Sequence, residues 1–214
     1  MNKSYVTIAL AAAALAACTA QSTSQSDEEI RENSSNFAKI DVVAGTLEDA
    51  RDGKSYKTVK INNQVWMAEN LNFKIEGTVC PGGADENCAT LGRFYTWEDA
   101  QTACPEGWHL PADAEWDTLI EATGDVNNAA KALRAKTTWK ESDVGVDQYG
   151  FAILPTGFKS ATSSDCSPMF DASFWALEEY SSTSGWGRFV DGDYSVKRRN
   201  FDKKSARSVR CIQD

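Results

Sequence analysis

Cys104-Pro105-Glu106-Gly107-Trp108-His109-Leu110-Pro111, continued by Glu115-Trp116, is the stretch that decides the fold. Trp97, Ala100 and Cys104 recur upstream at helical spacing and so share one face. Thr96 is placed to cap that helix, with Asp99 three residues on as the capping-box acid. Pro105 holds Cys104 in extended geometry and Gly107 follows, so the helix stops there. Trp108 to Leu110 is a short extended segment closed by Pro111. A second helix starts at once, with Trp116, Leu119 and Ile120 as its buried stripe and Gly124 as its stop. Helix, cysteine, short strand and second helix make a packing nucleus rather than a catalytic motif.

Working outward, Tyr56–Ile61 and Gln64–Met67 predict a hairpin around Asn62-Asn63, since asparagine tolerates the left-handed conformations of tight turns. Val59 and Ile61 alternate with Lys60 as in a half-buried strand. Asn70 is expected to be buried and to hold loop backbone. Asn127 to Lys136 predicts a third helix. Phe151, Ile153 and the run from Phe174 to Leu177 read as core strands, with residues 160–172 an irregular polar excursion between them. The tail offers three further strand segments, Arg188-Phe189-Val190, Tyr194–Lys197 and Ser205–Ile212; in the last, Val209 and Cys211 share a face. The fold class is α+β, with helices packed on a twisted antiparallel sheet and long irregular loops.

The N-terminus reads differently. Lys3, the apolar run Val6–Ala14 and Leu15-Ala16-Ala17-Cys18 resemble a bacterial lipoprotein leader over residues 1–17, with Cys18 as the acylated first residue of the mature chain. The apolar run is too short to span a bilayer, so acyl chains on Cys18 would make the membrane contact. An ordinary signal peptide cut nearby is the competing reading. Residues 18–40 are rich in Ser, Thr, Gln, Asp, Glu and Asn and cannot bury enough apolar surface to fold, which predicts a flexible tether. The globular domain is then 41–214. The location implied is the cell envelope, lipid-anchored, at the outer membrane and facing outward.

The net charge is −9, becoming −10 once Lys3 is removed, which argues against nucleic acid as a partner and against electrostatic docking on anionic lipid. No nucleophile, metal cluster or phosphate cradle stands out, and neither a catalytic residue nor a cofactor is assigned. His109 is the sole histidine and sits inside the packing nucleus, which favours a supporting role over catalysis. Gly185-Trp186-Gly187 reads as a turn. Asp191 and Asp193 flank Gly192 and could offer oxygen ligands to calcium, but a hairpin turn suits them at least as well, and no metal is assigned. Six cysteines less Cys18 leave five in an oxidising compartment, and spacing alone leaves about fifteen two-bridge connectivities open.

Ala103-Cys104, Gly107 to Pro111 and Glu115-Trp116 resemble the core signature of the Fibrobacter succinogenes major paralogous domain. Further resembling blocks are Arg51-Asp52-Gly53, Thr58–Ile61, Gln64–Leu71, Gly92–Trp97, Gly150-Phe151, Leu154-Pro155, Phe174-Trp175 and Ser208–Cys211, from about Leu47 onward. That family is similar to the C-type-lectin-like fold and to formylglycine-generating enzymes. The resemblance implies bridges Cys80–Cys88 and Cys104–Cys211, the second tying the first helix to the last strand as lectin-like folds do, with Cys166 left over. The closely spaced cysteine pair of the formylglycine-generating enzymes has no counterpart here. Neither do the Glu-Pro-Asn, Gln-Pro-Asp and Trp-Asn-Asp segments of calcium-dependent lectins. Ala112 stands where the family often has a helix-capping Ser, so the resemblance makes Asp113 the expected substitute cap.

These readings converge on a non-catalytic envelope lipoprotein whose lectin-like domain recognises a polysaccharide or another surface component. A protein-interaction or structural surface module is the alternative, and a formylglycine-generating type of enzyme is a third. Trp186 is the leading ligand-binding candidate, after the loop Ser181–Gly185 and with Tyr180, Arg188, Asp191, Asp193 and Tyr194 nearby; Trp139 is a second. Packing beneath its own loop is the competing reading for each tryptophan.

Overall fold

The structure, a computed structural model, describes residues 40–163, 166–167 and 169–214. The leader, Cys18 and all but the last residue of the expected tether lie outside them. Among the described residues eight strands and four α-helices follow in chain order: β1 (Val42–Asp49), β2 (Lys54–Ile61), β3 (Gln64–Met67), α1 (Cys88–Leu91), α2 (Trp97–Ala103), β4 (Trp108–His109), α3 (Asp113–Ala122), α4 (Ala129–Leu133), β5 (Ala172–Ser181), β6 (Ser184–Val190), β7 (Lys197–Asp202) and β8 (Ile212–Gln213). One sheet has the order β1-β2-β3-β8-β4 and a second the order β5-β6-β7, with every pairing antiparallel. The class is α+β.

The nucleus forms from the cues in its sequence. Thr96 accepts the Asp99 N–H at the start of α2, and Cys104 ends that helix in extended geometry (φ −67°, ψ 146°) ahead of Pro105. Trp108 and His109 then pair with the chain's last strand, opposite Gln213 and Ile212. Trp116 on α3 is fully buried against Trp66, Phe151 and Phe174, with ring centroids 4.9–6.1 Å apart. A second cluster gathers Tyr95, Ala100, Ala103, Leu110, Trp175, Val209 and Cys211. The Asn62-Asn63 hairpin is as expected: Ile61 pairs with Gln64 and Asn62 takes φ 53°. Asn70 is buried, donates to the Leu91 carbonyl and accepts from Arg210 Nε at 2.9 Å.

Both bridges are formed, Cys80–Cys88 and Cys104–Cys211, and Cys166 is free. Its sulfur lies 3.7 Å from the Cys80 carbonyl oxygen.

Several expectations need correction. The third helix is only Ala129–Leu133, because Arg134 turns extended to bridge Ile153 and sends its guanidinium inward to the Asp191 carbonyl, 2.6 Å away. Asp113 does not cap α3. Ala112 holds the cap position, its N–H satisfied by the Glu115 carboxylate at 2.8 Å, while the Asp113 carboxylate turns to two arginines. Phe151 and Ile153 are core residues but form no strand, Ile153 making only the bridge to Arg134. Leu177 continues β5 but is exposed. Only Lys197 of the expected Tyr194–Lys197 segment is strand, and from Ser205 on only Ile212 and Gln213 are. Buried Arg207 and Arg210 take carbonyl and hydroxyl partners there in place of a regular ladder. Burial pushes Arg210 down to about 9.

Candidate functional site

Gly185-Trp186-Gly187 is not a turn. It runs through the middle strand of the second sheet, where Trp186 pairs with Asn200 of β7. The glycines allow close approach. A Cβ on Gly185 would lie 2.3 Å from the Trp97 ring, and one on Gly187 would lie 2.2 Å from the Phe174 carbonyl oxygen. The turn is the two-residue loop between Ser181 and Ser184, which are paired across it.

Alternation then sorts the side chains. Trp186 and Arg188 of β6 share a face with Arg198 and Asn200 of β7. A register irregularity in β5 between Trp175 and Glu179 sets Tyr180 beside Trp186, its ring packed edge-on at 4.7 Å and 74°. Arg198 lies over the Trp186 ring, Cζ to centroid 3.5 Å. Trp186 is half-buried, Asn200 is exposed, and Tyr180 is 53% exposed.

Arg198 is itself held in place. Its Nε donates to Asp113 Oδ2 at 2.6 Å, and Asp113 Oδ1 accepts from Arg188 at 2.9 Å. Arg188 also reaches the Asp113 carbonyl and the exposed Asp117 carboxylate, 2.9 and 2.8 Å. Asp113 is 8% and Arg188 3% exposed, so Arg188 is a buried brace and not a ligand contact. The result is an exposed phenol on a rigid support of Trp186, Arg198 and Asp113.

The other candidates separate from this patch. Asp191, Asp193 and Tyr194 belong to the β6–β7 connection, with Asp191 five residues beyond Trp186, roughly 17 Å along an extended strand. Lys197 Nζ bonds both aspartates and fills the place a cation would take. Partial burial alone would raise the Asp191 carboxyl, but Lys197 and the Asp193 N–H hold it below the usual range. Tyr194 is exposed with Lys131 over its ring. Trp139 is withdrawn as a candidate. It is 7% exposed, in the core beneath its loop, with its N–H given to the Ile153 carbonyl at 2.8 Å. Sequence reasoning missed Arg198, Asn200 and Asp117; the register β6 makes with β7 is what brings the first two to Trp186.

His109 bridges two carboxylates, Nδ1 to Asp214 at 2.6 Å and Nε2 to Glu115 at 3.0 Å. Partial burial disfavours its imidazolium, but the two acceptors outweigh that and the pKa is raised. Its stabilisation is fully present below the unfolded value of about 6.5 and is lost as pH rises through the higher folded value. Urea midpoints from pH 5.5 to 9 should therefore fall at the alkaline end for the wild type. His109→Gln should abolish that component, and an unchanged slope would refute the bridge.

Among the described residues no group of three or more His, Cys, Asp or Glu side chains could hold a metal. Within the same residues no helix is long and apolar enough to cross a membrane. A cleft of about 200 Å³ is lined by Lys54, Tyr56, Glu69, Asn70 and Asn72, and no residue of the aromatic patch lines it.

No curated protein and no solved structure matches the chain. The Fibrobacter succinogenes major domain matches residues 59–213, well over half of the chain, and the protein belongs to that family.

Proposed function

We propose that this is a non-catalytic, lipid-anchored envelope protein whose domain, of C-type-lectin-like architecture, recognises glycan through the Tyr180 patch. One observation carries the reading: Tyr180 is more than half exposed yet braced edge-on by Trp186, which Arg198 and Asp113 pin in turn. A rigid aromatic pays little entropy on binding and offers an apolar face with a polar tip, the chemistry a sugar ring needs. Arg198 already covers one face of Trp186, so the stacking surface is Tyr180, with the Asn200 amide as the adjacent hydrogen-bonding group. The lectin-like part of the reading is supported by the Cys104–Cys211 bridge, which joins a helix end to the residue before the closing strand, and by the scarcity of regular elements among the described residues between α4 and β5. The anchor is supported by Leu15-Ala16-Ala17-Cys18 and the polar residues after it.

The test is glycan-array and polysaccharide pull-down binding of the full-length chain. Tyr180→Ala should weaken binding about tenfold, equivalent to ~1.4 kcal/mol, and Asn200→Ala should weaken it less. Chelators should have no effect. Binding that survives Tyr180→Ala unchanged would remove this site.

A further inference from the structure

The first sheet ends in an unprotected edge. Among the described residues β1 pairs only with β2, and the eight pairs from Val42–Ile61 to Asp49–Lys54 run without a bulge. Residues 42–46 are all exposed, Val42 at 41% and Val43 at 52%. Natural edges are usually blunted by charge, proline, bulges or brevity. The other outer strands are protected: β4 is two residues long, β7 begins Lys197-Arg198-Arg199, and β5 is covered by bridges from Ala172 to Gly157 and from Phe174 to Ser208. β1 opens with Val-Val-Ala-Gly-Thr and has no charge, proline or bulge before Glu48.

Its free backbone groups can be assigned. Asn62 donates to the Asp41 carbonyl, so odd-numbered residues of β1 face β2. Ala68 donates to the Lys57 carbonyl, which gives β2 the matching alternation. The N–H and C=O of Val42, Ala44 and Thr46 therefore point away from the sheet. Pairing two copies antiparallel about a two-fold axis through Ala44 sets Ala44 against Ala44 and Val42 against Thr46, so that all six of these N–H groups meet carbonyls. Val43 then faces Gly45, Asp41 faces Leu47, and no like charges stand directly opposite. We propose that β1 is a self-pairing edge through which two copies of this chain join into one continuous sheet. The proposal is independent of glycan binding, because the Tyr180 patch lies on the other sheet.

The experiment is position-selective cross-linking of the full-length chain in a Cys166→Ser background. Residues opposed in a hydrogen-bonded antiparallel pair have Cα atoms about 5.5 Å apart, within disulfide reach. Ala44→Cys should therefore give a covalent dimer under mild oxidation, several-fold more than Val43→Cys, whose opposite residue is Gly45. Adding Thr46→Pro to Ala44→Cys removes an outward N–H that β2 does not use and should abolish the dimer with the urea midpoint kept. Equal cross-linking at 43 and 44, none at either, survival of the dimer with Thr46→Pro, or capture of a different protein by the introduced thiol would each overturn self-pairing.

Discussion

Replacing Cys104 and Cys211 together by alanine should lower stability by about 4–5 kcal/mol, the loop-closure entropy expected for a cross-link spanning about 100 residues. The observed separation is 107 residues, against 8 for Cys80–Cys88, whose loss should cost only ~2.5 kcal/mol on the same relation. Topology adds to the difference. β8 is two residues long, yet it is inserted between β3 and β4, so the first sheet is continuous only while the C-terminal segment stays docked. Met67 and Leu71 also give their N–H groups to the Cys211 and Val209 carbonyls. Alanine is the right replacement because Cys211 is fully buried among Trp175, Leu110 and Val209, where a serine hydroxyl would be an unpartnered polar group. Urea titrations should show a lower midpoint for the 104/211 pair and a smaller drop for Cys80→Ala/Cys88→Ala. A loss below ~2 kcal/mol for the first, or the reverse ranking, would mean that packing alone holds the closing strand.

Local chemistry made part of this legible in the sequence. Thr96, Pro105 and Gly107 act on their own backbone within a few residues, so α2 and its end were readable, as was the Asn62-Asn63 hairpin. The disulfide pairing was implied by family resemblance, and spacing alone could not have chosen it. Side chains whose partners are distant were not readable. Asp113 is one residue past the cap position that Ala112 holds, and two arginines at 188 and 198 take its carboxylate in two charge-assisted bonds. Gly185 and Gly187 have the composition of a turn, but Trp97 and the Phe174 carbonyl press on that stretch and demand residues without a Cβ. Trp139 carried no sign in the sequence that Ile153 would take its N–H. The Tyr180 patch was half legible: Trp186 and Tyr180 were named, whereas Arg198 and Asn200 belong to it through strand register alone.

Asp113→Ala should destabilise the domain by about 3–5 kcal/mol, the cost of removing one partner of a buried ion pair. The side chain is 11% exposed and serves two guanidiniums at 2.9 and 2.6 Å, and of these Arg188 is itself buried. Arg188 would keep Asp117, but that carboxylate is 57% exposed and contributes less. Arg188 Nε already lacks a partner, so a further loss leaves a buried cation poorly satisfied. Pairing Asp113→Ala with Arg188→Met should recover much of the loss, because the second change removes the orphaned charge while keeping apolar volume. A double-mutant cycle on urea midpoints measures this, and strictly additive losses would show that Asp113 acts through something other than Arg188. The same variants bear on recognition. Arg198 is stacked on Trp186 only while Asp113 holds it, so Asp113→Ala should loosen Tyr180 and weaken glycan binding even at temperatures where the domain remains folded. Restoring stability with Arg188→Met should leave that binding defect in place. The brace that orders the patch runs from Asp113 to Arg198, whereas the stability runs from Asp113 to Arg188, and only the second is repaired.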